Sequence, residues 1–156
     1  DNGQKSGYRK GDIYIKDKMI YKITSSKTVA FGGVTSNTIT SLSIPKTVKI
    51  GKKTYQVTAI ASRAFVNRKK LKKVTIGANV SKIGNYAFYG CTNLKTITIK
   101  STKLTASTVG SKAFSKIYTK ATIKIPKATI KIPKAKKTAY KKILLKKGVT
   151  KKMKFK

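Results

Sequence analysis

A spacing of 23 residues recurs along this chain, and it constrains the fold more tightly than any other feature of the sequence. Leu94, Ile97 and Ile99 repeat Leu71, Val74 and Ile76 at that offset, and Ile83, Ala87 and Phe88 repeat Ile60, Ala64 and Phe65. The next Gly-x-x-Ala-Phe (Gly110, Ala113, Phe114) follows Gly84, Ala87 and Phe88 by 26, which puts three extra residues near 101–107. Weaker units begin at Ile39-Thr-Ser-Leu42-Ser-Ile44-Pro45 and at Ala121-Thr-Ile123-Lys-Ile125-Pro126, and the first of them carries a longer insert at 49–55.

The period predicts a repeat solenoid. Val74-Thr-Ile76 and Ile97-Thr-Ile99 alternate apolar and polar residues, as a half-buried strand does. After a turn comes Val/Ile-Gly-x-x-Ala-Phe, in which a small and a large residue fill one core layer. No single unit can bury its apolar face, so stacked neighbours must share a continuous core. The expected parallel strands are 42–44, 74–76, 97–99 and 122–125, with Phe65, Phe88 and Phe114 in the core.

Leu71 to Cys91 resembles the BspA-like leucine-rich repeats of bacterial surface proteins, whose pattern reads roughly L-x-x-V-x-I-P-x-x-V-x-x-I-G-x-x-A-F-x-x-C. Gly77 stands where that pattern usually has Pro, whereas Pro45 and Pro126 keep it. The resemblance implies a leucine-rich-repeat fold, a secreted or cell-surface location, and a non-catalytic role in adhesion to host matrix, other cells or glycans.

The two ends read as caps. Residues 12–34 alternate (Ile13, Ile15; Ile20, Ile23; Val29, Phe31) around Lys16-Asp17-Lys18, which predicts antiparallel hairpins. Residues 135–147 put Ala135, Ala139, Tyr140, Ile143 and Leu144 on one helical face, with Pro133 ahead and Gly148 at the C-cap. Lysines in its first turn oppose the helix dipole, so packing has to hold it. Residues 149–155 suit a short edge strand. The expected organisation is a β-hairpin cap at 1–38, about four repeats at 39–133, and a helix and edge-strand cap at 134–156. Residues 121–127 recur unchanged as 128–134; both copies suit strands, or one could bulge as a loop.

Charge excludes most chemistry. There are 38 Lys and Arg against three acids (Asp1, Asp12, Asp17), giving a formal net charge of +35, with no His and no Glu. General acid–base catalysis usually needs His or a tuned carboxylate, and zinc-type sites need several Cys, His or carboxylate ligands. An enzyme, a metal site and a cofactor are therefore not expected. The lone Cys91 has no imidazole to activate it, and in the resembled family its position holds a small buried residue. No apolar run approaches the ~18 residues of a membrane span. Asp1 is not a start residue, so a removed leader peptide is expected.

The candidate binding residues lie on the outward strand positions. If Ile44, Ile76, Ile99 and Ile125 point inward, Ser43, Thr75, Thr98 and Lys124 form one outer row, beside Ser41, Lys73, Thr96 and Thr122. Hydroxyls and lysines in rows can hold sugars or acidic groups, although Thr is also simply a good strand former. Residues 127–156 hold thirteen lysines, with Lys141, Lys142, Lys146 and Lys147 as candidate polyanion contacts. Only three arginines occur, Arg9, Arg63 and Arg68, and no nucleic-acid-binding signature is visible. The expected partner is an anionic cell-wall polymer, a glycan or a host surface protein, bound by a monomer. The alternatives are a structural wall-associated domain without a specific ligand, and a nonspecific nucleic-acid-binding protein.

Overall fold

A computed structural model describes residues 7–118, 129–151 and 153–156. The chain begins as an antiparallel meander of β1 (Ile13–Lys16), β2 (Met19–Ile23) and β3 (Thr28–Val34). Asp17 and Lys18, at φ 51° and 66°, form the tight turn between the first two strands, a geometry that matches the twist of a hairpin. The inward residues differ from the expected alternation. Tyr14 and Tyr21 are buried, while Ile13 is 44% exposed. The larger rings win the inner face, and Tyr14 packs edge-on against Tyr8 at 5.7 Å.

From β3 onward the chain stacks. β4 (Ser41–Ile44) leads to β5 (Thr47–Ile50) and β6 (Lys53–Ile60), so the 49–55 insert is an antiparallel hairpin turned at Gly51. Next come β7 (Lys73–Ile76), β8 (Lys82–Ile83) and β9 (Thr96–Ile99). The second described stretch contains β10 (Thr129–Lys131), a 3-10 turn at Lys134–Lys136, helix α1 (Lys137–Lys146) and β11 (Lys154–Phe155). One sheet runs β11-β10-β9-β7-β4, parallel throughout, and aligns Leu42, Val74, Ile97 and Ile130 in one inward column. The other runs β1-β2-β3-β6-β5, with β8 also paired to β6 and Val109 bridged to Ile83.

The strands expected at 42–44, 74–76 and 97–99 lie within β4, β7 and β9. The fourth position differs. The strand beside β9 is β10, from the second copy of the duplicated heptapeptide, and it pairs Lys131 with Thr98. Residues 122–125, expected there, lie outside the described residues, and so does Lys124.

Between the sheets runs a column of stacked rings. Phe31, Phe65, Phe88 and Phe114 are all fully buried, with centroids 5.6, 4.9 and 5.2 Å apart and planes within 13°, 4° and 7° of parallel. Backbone bonds hold successive turns in the same register, Phe65 N–H donating to Ala87 C=O at 2.7 Å and Phe88 N–H to Ala113 C=O at 2.8 Å. The glycine of the repeated Gly-x-x-Ala-Phe permits this approach. A Cβ at Gly110 would collide with the backbone of Gly84 and Asn85 on the rung before.

Helix α1 docks through fewer residues than its pattern predicts. Tyr140 and Leu144 are buried and Ile143 is partly so, but Ala135 and Ala139 are exposed. Ala135 falls in the 3-10 turn, out of phase with the helix, and two methyl groups bring little area to bury. No side chain caps the helix start and no acid occupies its first turn. The Tyr140 hydroxyl instead accepts a hydrogen bond from Leu104 N–H at 3.0 Å, inside the stretched unit. There the buried Ser101 hydroxyl donates to Val80 C=O and accepts from Lys103 N–H. Gly148, at φ +110°, ends the helical segment as its position implied.

Phe88 contacts a ring on either side, so Phe88→Ala leaves a cavity in the middle of the column. The expected cost is about 3–5 kcal/mol, a fall in Tm on the order of 10 °C. A thermal melt within a degree or two of wild type would show that the ring column is not the core.

Candidate functional site

Parallel register places the outward residues of β7, β9 and β10 side by side on one sheet face. The pairs Thr75↔Thr98 and Thr98↔Lys131 form one row, and Ser41↔Lys73 and Lys73↔Thr96 form the next. All but Ser41, whose neighbour Leu42 is partly buried, sit one residue from a buried apolar residue (Val74, Ile76, Ile97, Ile99, Ile130), so the core fixes which side chains face out. The rows floor a depression of about 380 Å³ with the hydroxyls of Ser41, Thr75, Thr96 and Thr98. Its cations are Lys73, Lys131 and Lys156. Thus four expected residues, Lys73, Thr75, Thr96 and Thr98, come together. Ser43 pairs with Thr75 in the first row, as expected, and lines an adjoining hollow of about 240 Å³ with Lys46 and Lys100.

Two residues of this face were missed. Lys131 holds the place expected of Lys124, because identical heptapeptides offered two lysines and nothing in the sequence chose between them. Lys156 arrives through the parallel pairing of β11 with β10, a contact with no local signature. The helix lysines Lys141, Lys142 and Lys146 are exposed and Lys147 is half-buried. Lys141 holds its ammonium 5.4 Å from the centre of the Phe155 ring.

Chemically, the depression offers hydroxyls that donate and accept together with ammonium groups that only donate. The sequence contains no acid after Asp17, and Asp17 lies in the β1–β2 turn, so among the described residues no carboxylate side chain lines this depression. Among the described residues no three His, Cys, Asp or Glu side chains gather, and no helix is long and apolar enough to cross a membrane.

Residues 58–152 match the BspA type leucine rich repeat region (6 copies). The chain belongs to this family. No curated protein matches it in sequence. Among solved structures, a leucine rich cell surface protein from Faecalibacterium prausnitzii A2-165 superposes with a TM-score of 0.60 at 25% identity, over 79% of this chain and 37% of that one. A leucine-rich repeat protein from Bacteroides ovatus ATCC 8483 gives 0.56 at 22% identity, over 77% of this chain and 35% of that one. Another, from Bacteroides capillosus ATCC 29799, gives 0.55 at 21%, over 79% and 83%. The chain therefore spans little more than a third of the first two proteins.

Within this BspA-type repeat, Cys91 is a core residue. It is fully buried and its thiol donates to Phe65 C=O at 2.9 Å, one rung back. Burial pushes the thiol up to about 12, from an ordinary value near 8.5. The thiol stays neutral in the folded chain while the unfolded chain ionises, so its contribution is complete below about pH 8.5 and is lost as pH rises towards 12. Replacing it with alanine at neutral pH should cost about 1 kcal/mol without altering binding. Between pH 7.5 and 10, wild type should lose about 2 kcal/mol relative to Cys91→Ala, measured by urea unfolding of both at both pH values. A constant difference would mean that the thiol titrates freely.

Proposed function

We propose that the chain is part of a secreted or cell-surface bacterial binding module, an elongated solenoid capped at both ends, which holds anionic polymers or glycans chiefly through charge. The observation that carries this reading is the depression itself, with Lys73, Lys131 and Lys156 over a hydroxyl floor and no acidic residue among the described ones that line it. Membership of the BspA-type family and the likeness to a cell surface protein support the location. The lysines of 127–156 add a diffuse field, with Lys141, Lys142 and Lys146 exposed on α1. Hydroxyls suit sugar or polyol groups, and ammonium groups suit phosphate, sulfate or carboxylate. Specific nucleic-acid recognition is not part of this reading, because bidentate base contacts are mostly the work of arginine.

Binding by counterion release makes affinity fall steeply with salt. For a poly(glycerol phosphate) or a sulfated glycan, Lys141→Gln/Lys142→Gln/Lys146→Gln/Lys147→Gln should flatten the slope of log affinity against log salt by up to about 3. Lys73→Gln/Lys131→Gln/Lys156→Gln should flatten it by about 2. Both variants should melt as wild type does. A salt-independent affinity abolished by the sheet-face change alone would refute the charge-driven reading and indicate a receptor site for one specific ligand.

A further inference from the structure

A second cationic array stands at the corner of the stack, built from residues the sheet face does not use. Arg63, Tyr86 and Lys112 occupy the same turn position on three successive rungs, and all three have left-handed backbone, at φ 60°, 57° and 52°. Four residues on in each turn stand Asn67, Gly90 and Lys116, at φ 56°, 76° and 57°. Glycine and asparagine take this conformation readily, whereas arginine, tyrosine and lysine adopt it at a steric cost. The chain therefore places its bulky polar side chains where smaller ones would be more stable.

Those side chains are held together. The Tyr86 rung lies between the rungs of Arg63 and Lys112, whose charged groups sit 4.8 and 5.9 Å from the centre of its ring. Tyr89 lies edge-on to Tyr86 at 5.3 Å and carries Lys116 at 5.4 Å. Arg63, Lys112 and Lys116 are exposed, and both rings are half-buried. Beneath them Arg63 N–H donates to Asn85 C=O at 2.9 Å and Tyr86 N–H to Ser111 C=O at 3.0 Å, so the rungs are fixed relative to one another. Free lysines lose side-chain freedom when they grip a ligand, and cations already held against rings have less to lose.

We infer that this corner is a pre-organised track for a linear polymer with repeating anionic groups, a sulfated or phosphate-linked glycan. Arg63, Lys112 and Lys116 contact the anions, and Tyr86 and Tyr89 position the cations. Cations already stand against both rings, Arg63 and Lys112 at Tyr86 and Lys116 at Tyr89, which disfavours the base stacking that single-stranded nucleic acid needs. The inference rests on the polyanion reading given above but assigns different residues to it.

The test compares Arg63→Gln/Lys112→Gln/Lys116→Gln with Lys16→Gln/Lys49→Gln/Lys52→Gln, three exposed lysines elsewhere that lower the charge equally. Probes are heparin, poly(glycerol phosphate) and an oligo-dT of similar charge, at 0.15 M salt. The corner variant should lose about tenfold in glycan affinity and flatten the salt slope by 2 to 3, against a loss of about threefold or less for the control. A heparin-selective loss assigns the track to sulfated glycans, and a poly(glycerol phosphate)-selective loss assigns it to phosphate-linked ones. Tyr86→Leu, which keeps every charge, should lose several-fold; Tyr86→Phe, which keeps the ring, should behave as wild type. Equal losses in the corner and control variants, or full affinity in a folded Tyr86→Leu, would overturn the track while leaving the polyanion reading intact. Absence of binding by wild type would overturn both. A larger loss for oligo-dT than for the glycans would overturn the glycan assignment.

Discussion

Stacking of one ring on the next is the contact on which the rest of this structure depends. The strands β4 and β7 to β11, two to four residues long, have too little area to persist alone, and Phe65, Phe88 and Phe114 put adjacent turns in register from inside. Phe31 extends the column into β3 and so ties the antiparallel meander to the parallel stack through a side chain as well as through strand pairing. Ala64, Ala87 and Ala113, and the Cys91 thiol reaching back to Phe65, leave each ring the room it needs. With turns thus fixed at strand spacing, about 4.8 Å, every outward side chain occupies a set place along the stack.

A chain without acids past Asp17 cannot pair its cations in the usual way, and aromatic rings take over part of that role. Six cation–ring contacts occur among the described residues, including Lys53 on Tyr55 and Lys95 on Tyr118. Lysine stems lie along apolar surface while the ammonium groups stay hydrated. The accessible surface of 8929 Å² separates the 35 net charges by roughly 16 Å, about twice the Debye length at physiological salt. Folding is thereby compatible with the charge, and the same absence of acids leaves the surface cations available to anions in solution.

The inward half of this design was legible in the sequence because packing writes a period into it. Leu71, Val74, Ile76, Ile83, Ala87 and Phe88 repeat since each must meet its counterpart one rung away, and the family pattern is that constraint in another form. Outward positions carry no such signature. Thr75 and Thr98 could be placed in a row from the alternation alone, but Lys131 could not be told from Lys124 within two identical heptapeptides, and nothing local linked Lys156 to the same face. Tyr14 and Tyr21 are a related case: each has isoleucine next to it on the other face of its strand, and a period of two does not say which of two apolar faces turns inward. The corner array of Arg63, Tyr86 and Lys112 stands in the sequence as a column of unlike residues at offsets of 23 and 26, with no shared residue type to mark it.

On both cationic surfaces a neutral side chain stands between two cations that lie two rungs apart, although Lys131 and Lys156 follow the paired residues Ile130 and Phe155 on adjacent strands. Cations on adjacent rungs would stand about 5 Å apart and repel by close to 1 kcal/mol even in water. On the sheet face, β9 supplies Thr96 and Thr98 between Lys73 on β7 and Lys131 on β10. At the corner, Tyr86 stands between Arg63 and Lys112. Lys73 and Lys131, like Arg63 and Lys112, are thereby two rungs apart, about 10 Å, a distance at which salt screens their repulsion. A hydroxyl or a ring in the intervening place does more than dilute charge, since the hydroxyl can bond a ligand's neutral groups and the ring holds its flanking cations in position. The repeat that builds the core thus also sets the pitch at which a polymer of alternating charged and neutral groups would meet this surface.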